Sequence, residues 1–284
     1  MAPIKLTIHV PTEAKPENVS LLISNLSKDK IVFSDTNSLN EYLTQINIIP
    51  RSEFRTTVAS MEITHVCESK IALSPMGFAL SQIREETRND LYHYLMYTGW
   101  RFERPIDFLQ SWAYRYCCDL LWVKEEVDLN SSFVNQLVED VINSARDTFT
   151  NLGIQDFDEI SFSRKSLNGV QNWLEALQPS VLQSTGSSIR YQRRAFCPPE
   201  LLVMAIGYLL RQENTQAIEI DILLTREKRE ALCKICQLSP ESLDRTLDWA
   251  IPTFSEVISP GTTAGFYGRF IRLRQMPTFE NIIR

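Results

Sequence analysis

Histidine and glycine are scarce in this chain, with three His and nine Gly among 284 residues. Histidines 9, 65 and 93 stand apart, so spacing provides neither a His pair for a metal nor a Ser-His-Asp or Cys-His arrangement for covalent catalysis. The glycines build neither a GxxxxGK(S/T) loop nor a GxGxxG turn, which leaves nucleotide binding without support. Long apolar runs are also missing. The longest, residues 201–210, covers ten positions, against the roughly 20 that a membrane-crossing helix needs. The opening residues, MAPIKLTIHVP, alternate apolar and polar and lack a signal-peptide hydrophobic region, so a cytoplasmic protein without membrane contact is expected. Excess positive charge is absent too: the net charge of −6 argues against indiscriminate nucleic-acid binding over the whole surface, while leaving room for a local basic face.

What is present suits a soluble globular protein, with 44% hydrophobic and 23% charged residues. The length exceeds a usual single core and favours two or three packed units. Six cysteines at 67, 117, 118, 197, 233 and 236 are scattered, which suits reduced thiols better than a disulfide framework. Cys233 and Cys236 have C-x-x-C spacing, but no second pair accompanies them; on a helix they share a face and are expected as core thiols. Neither a metal nor a cofactor is expected.

Charge is unevenly distributed: −1 for residues 1–80, −7 for 81–187 and +2 for 188–284. With the small-polar residues 184–188, this asymmetry places a boundary near 185. The expected organisation is 1–80, an acidic helical region 81–185, and 186–284. In the middle third Leu109, Trp112, Ala113, Tyr116, Cys117, Leu120 and Leu121 form an amphipathic stripe. Val134, Leu137, Val138, Val141, Ile142, Ala145 and Phe149 repeat it. A third helix is expected over residues 167–177. The dense aromatics between Tyr92 and Trp122 read as core or protein interface rather than base-stacking platforms.

The most specific pattern lies in residues 38–80. Leu39, Tyr42, Leu43 and Ile46 share one helix face; a turn at 47–50 follows; residues 51–62 read as a second helix with Phe54, Val58 and Met61 inward. A hairpin over 63–73 and a break at Ser74-Pro-Met-Gly77 complete it. These residues resemble the winged helix-turn-helix family, whose closing strand and exit are similar to residues 71–80 here. The resemblance covers about 45 of the 284 residues and implies a recognition helix that enters the DNA major groove beside a hairpin wing. It implies DNA contact by Arg51, Ser52, Arg55, Thr56 and Ser60 on the helix and by Lys70 on the wing. Arg51 and Arg55 lie one turn apart, where guanidinium forks reach guanine edges or phosphates. The alternative is that these are solvated polar residues on an ordinary helix; the resemblance also leaves protein docking open, because such domains serve as protein-docking modules as well.

The last third reads as helix, strand, helix, turn, helix and hairpin, and looks like a second winged helix with a long wing at 259–268. Its second helix of the pair is acidic, with Glu241, Asp244 and Asp248 against Arg245, so phosphates would repel it. Arg269, Arg272 and Arg274 are expected as a basic wing beside Thr262 and Thr263, with Arg190, Arg193 and Arg194 as another basic cluster; the alternative is the solvent face of an edge strand. The segment 218–222 is similar to the metal-binding strand of restriction-type nucleases, but the carboxylate-x-Lys strand that should follow Asp221 is replaced by the helical 225–229.

The resulting expectation is a mainly α protein with short β-hairpins, two winged-helix-like domains flanking a helical middle. It is expected to be a non-enzymatic adaptor of a prokaryotic regulatory, defence or mobile-element system. Its expected partners are double-stranded DNA and other protein subunits. The alternative function is a scaffold subunit whose winged helices dock proteins without touching DNA.

Overall fold

The computed structural model describes residues 4–29, 31–67, 70–154, 157–186, 188–213, 218–219, 221–261 and 268–283. Among them the chain is mainly helical, with short strands in small sheets.

After strand β1 (Ile4–Thr7), helix α1 (Pro16–Asp29) turns Val19, Leu22, Ile23 and Leu26 inward at i, i+3, i+4 and i+7. Strand β2 (Val32–Phe33) leads to α2 (Thr36–Gln45), which a reciprocal cap starts: Asp35 Oδ1 accepts from Ser38 N at 2.8 Å, and Ser38 Oγ accepts from Asp35 N at 3.3 Å. Asn47, at φ +60°, makes the turn into α3 (Ser52–Ser60); Asn tolerates that left-handed conformation better than most residues. Phe54 and Val58 of α3, with Met61 just beyond it, are buried, as the spacing predicts. Strands β3 (Thr64–Cys67) and β4 (Lys70–Leu73) pair antiparallel, and β4 also pairs with β2, giving the sheet order β2-β4-β3.

Helix α4 (Pro75–Gln82) is capped by Ser74, whose Oγ accepts from Gly77 N at 2.9 Å. A Cβ on Gly77 would lie 2.3 Å from Ile63 O, so only glycine lets α4 approach the hairpin this closely.

The middle of the chain contains α5 (Glu85–Thr98), α6 (Leu109–Lys124), β5 (Glu126–Asp128), α7 (Ser131–Asn151), β6 (Phe157–Ser161), α8 (Arg164–Glu175), β7 (Leu182–Thr185) and β8 (Ser188–Gln192). Helices α6 and α7 present the expected stripes to the core. Most aromatics between Tyr92 and Trp122 are buried, with Phe102 a clear exception at the surface. Strands β7 and β8 pair antiparallel with Thr185 opposite Ser188, so the small-polar segment expected to mark a boundary lies within one sheet, and β5 pairs on the other side of β8. Strand β1 pairs in parallel with β6, far along the chain.

The last region runs α9 (Pro199–Gln212), β9 (Asp221–Leu223), α10 (Arg226–Cys236), a 3-10 turn (Pro240–Ser242), α11 (Leu243–Thr253), β10 (Ile258–Pro260) and β11 (Phe270–Leu273). Its sheet order is β10-β11-β9. Helix α9 is apolar nearly all round because it packs against α5, α10 and α11 at once. The sequence pattern predicts a strand near 254–258; the strand pairs instead at 258–260, because α11 continues to Thr253 and Phe254 closes it. Of the expected wing 259–268, residues 262–267 lie outside the described residues, including Thr262 and Thr263.

The order helix, strand, helix, helix, strand, strand thus occurs twice, from α1 to β4 and from α9 to β11. In both, the first of the three strands pairs antiparallel with the last, which is the central strand of the sheet.

Candidate nucleic-acid interface

The exposed side of α3 carries Ser52 and Thr56, with Arg51 immediately before the helix and Arg55 half-buried one turn on. Arg51 reaches back to Glu13 with Nη1–Oε1 at 2.9 Å, and Lys165 approaches the same oxygen at 3.7 Å. Burial pushes the Glu13 carboxyl up, but its backbone and Thr12 hydrogen bonds and the Lys165 and Arg51 charges together hold it below the ordinary range. Arg55 donates from Nη1 to Asn40 Oδ1 at 2.6 Å and to Pro50 O at 3.2 Å, which ties α3 to α2. Ser52 bonds Glu53 at 2.9 Å. Ser60 accepts from Gln110 Nε2 at 2.7 Å, so α6 covers the end of α3. Lys70 is exposed at the start of β4.

The candidate cations of the last region are engaged differently. Arg269 donates to Asp248 Oδ1 at 2.7 Å and lies 3.4 Å from Asp244 Oδ1, so this arginine, just ahead of β11, is clamped onto the acidic face of α11. Asp244 also takes Arg229 at 2.7 Å, and that hydrogen bond leads the effects that hold its carboxyl low. Arg272 donates from Nε to Asp221 Oδ1 at 2.9 Å across the β11–β9 pair. Arg274 is exposed.

The expected cluster of Arg190, Arg193 and Arg194 points three ways. Arg190 pairs with Glu126 and Asp128, each at 2.7 Å. Arg193 lies over the Trp122 ring, 3.9 Å from its centroid, and bonds Trp122 O at 2.6 Å. Arg194 is buried against Asp90. Their closeness in sequence therefore makes no shared basic face.

Sequence spacing does not reveal Glu13, Asn40 and the cross-strand Asp221 as partners of Arg51, Arg55 and Arg272. Only the antiparallel register carries a signal, since it sets Asp221 opposite Arg272. Burial pushes the Cys233 and Cys236 thiols up, Cys233 to about 12, so neither is a ready thiolate. Among the described residues no group of three or more His, Cys, Asp or Glu is arranged to hold a metal, and no helix is long and apolar enough to cross a membrane.

Compared with protein-family models, with curated proteins and with solved structures, the chain matches none.

Proposed function

We propose that this chain is a non-enzymatic adaptor built on two winged-helix units, of which the N-terminal one faces duplex DNA and the C-terminal one faces protein. The reading is carried by the repeated order helix, strand, helix, helix, strand, strand, with the sheet orders β2-β4-β3 and β10-β11-β9. That order supports the winged-helix resemblance, and α3 and α11 take the place of recognition helices.

Charge separates the two units. Arg51 is half exposed while its partner Glu13 is mostly buried and also takes Lys165 at 3.7 Å, so the Arg51 head can turn to a phosphate while Lys165 stays with the acid. Ser52, Thr56 and Lys70 are exposed on the same helix and wing. In the C-terminal unit a phosphate beside Arg269 would also meet Asp244 and Asp248, which opposes groove entry.

Duplex binding measured against salt tests this. Arg51→Ala/Arg55→Ala/Lys70→Ala is expected to weaken binding and flatten its salt dependence, by a slope of about 0.9 for each phosphate no longer neutralised. Arg272→Ala is expected to leave both unchanged. The engagement of Arg51, Arg55, Arg269 and Arg272 within the chain favours a second reading, in which both units dock proteins alone. Absence of duplex binding at low salt would leave only that reading.

A further inference from the structure

A cavity of about 420 Å³ lies between the start of α9, the outer face of α11 and Ile83-Arg84 ahead of α5. This is within the roughly 300–1,000 Å³ range of ligand sites. Its walls include Pro199, Trp249 and Ile282, and its acid is Glu200. The Glu200 side chain is nine-tenths buried, yet among the described residues Oε2 has no hydrogen-bond partner. Arg84 Nη2 lies 3.9 Å from Oε1, beyond hydrogen-bond length, and the Arg84 side chain is 77% exposed. A carboxylate removed from water and left half unpaired is costly, which is why buried acids in folded proteins are almost always paired.

Trp249 adds a second, independent observation. Helix α11 turns Leu243, Thr246, Leu247, Ala250 and Ile251 inward, which leaves Trp249 on the opposite side, 53% exposed and braced by the Phe196 ring at 4.7 Å. An exposed, held indole beside a buried carboxylate is the combination that receives a cation on an apolar stem: the stem and charge lie against the ring, and the head meets the acid.

We infer that this cavity is a docking pocket for an arginine side chain of a partner protein, with Arg84 as the loosely held residue that it displaces. The inference rests on reading the C-terminal unit as protein-facing and names the chemistry of what it receives. Arginine is favoured over lysine because its planar guanidinium can donate to the carboxylate while stacking on Trp249.

The test uses the full chain and the capped peptide Gly-Arg-Gly amide, with Gly-citrulline-Gly amide as a neutral isostere, read by intrinsic fluorescence relative to Trp249→Phe. Saturable quenching is expected with the arginine peptide, at least tenfold weaker with Glu200→Gln and absent in Trp249→Phe. Arg84→Ala, which opens the pocket and removes a like charge, is expected to tighten binding severalfold. Equal binding of the citrulline peptide, or no effect of Glu200→Gln, overturns the inference. Thermal melts check that Glu200→Gln folds, and the exposed position of Arg84 keeps the opposite-sign prediction testable if it does not. Arginine-peptide binding that neither Glu200→Gln nor Arg84→Ala alters sinks the pocket while leaving the C-terminal unit protein-facing. Loss of duplex binding in the N-terminal variants bears on the other unit alone.

Discussion

Arg194 and Asp90 form an ion pair sealed inside the protein, with Nη1 2.6 Å from Oδ1 and side chains 1% and 0% exposed. The same guanidinium donates from Nε to Cys236 O at 2.8 Å, and Asp90 Oδ2 accepts from Gln178 N at 3.0 Å. Arg194 sits on the link from β8 to α9, Asp90 on α5, Cys236 at the end of α10 and Gln178 beyond α8. One pair therefore joins the middle of the chain to its last region.

Removing one partner strands a charge where water cannot reach it, so Arg194→Met is expected to cost about 3–5 kcal/mol. Asp90→Leu/Arg194→Met removes both charges and is expected to fall well short of the sum of the two single losses. Urea unfolding of the three variants measures this. A loss under about 1 kcal/mol for Arg194→Met would mean that the pair does not hold the regions together.

His93 makes stability depend on pH. Its Nε2–H donates to Ile235 O and its Nδ1 accepts from Tyr114 Oη, both at 2.7 Å, in a fully buried site. Burial holds its pKa down to about 3, against an unfolded value of 6.5. Below about 6.5 the unfolded chain therefore takes up a proton that the folded one refuses. The contribution of His93 is complete above that pH and is lost as pH falls toward 3, with a slope of up to about 1.4 kcal/mol per unit. The stability difference between wild type and His93→Gln should shrink accordingly between pH 7 and about pH 4. A difference that stays constant would contradict a neutral buried imidazole.

Where one face of a helix meets the core, the sequence is readable. The stripes of α6 and α7 and the inward Phe54, Val58 and Met61 follow from local spacing. The α1 stripe of Val19, Leu22, Ile23 and Leu26 carries the same signal. Helix α5 is harder, because Leu91, Tyr92, His93, Tyr94, Met96 and Tyr97 are all buried and no polar face marks a period. The parallel pairing of β1 with β6 has no local signature at all. Nor has the use of each arginine: Arg190, Arg193 and Arg194 look like a basic cluster until tertiary packing assigns each its own partner.

Gly169 separates two opposing effects of one methyl group. It lies inside α8, where Gly→Ala ordinarily stabilises by about 1 kcal/mol through helix propensity. Here the added Cβ would stand 2.1 Å from Val10 O and 3.2 Å from Val10 Cγ1. The closer neighbour is backbone, which cannot rotate away, and overpacking of this kind costs about 1–3 kcal/mol. Gly169→Ala should therefore lower the melting temperature. An unchanged or higher melting temperature would show that the segment carrying Val10 yields easily.

The clamp of Arg269 on α11 predicts that charge reversal on that helix creates what the native C-terminal unit lacks. Asp248 holds Arg269 Nη2 at 2.7 Å and is otherwise largely exposed, so Asp248→Lys disturbs little of the core. The substitution removes one acid from the face of α11, adds a cation and frees half of the Arg269 fork. Asp244 still holds Arg229 and the other half of Arg269, which limits the gain. In a background of Arg51→Ala/Arg55→Ala/Lys70→Ala, Asp248→Lys is expected to restore salt-dependent duplex binding with a slope of about 1–2, equivalent to one or two neutralised phosphates. Stability should change by less than about 1 kcal/mol, because exposed ion pairs contribute little. If the reversed helix gains no duplex affinity, charge is not what keeps α11 out of a groove. Its shape or the packing around Trp249 would then be responsible.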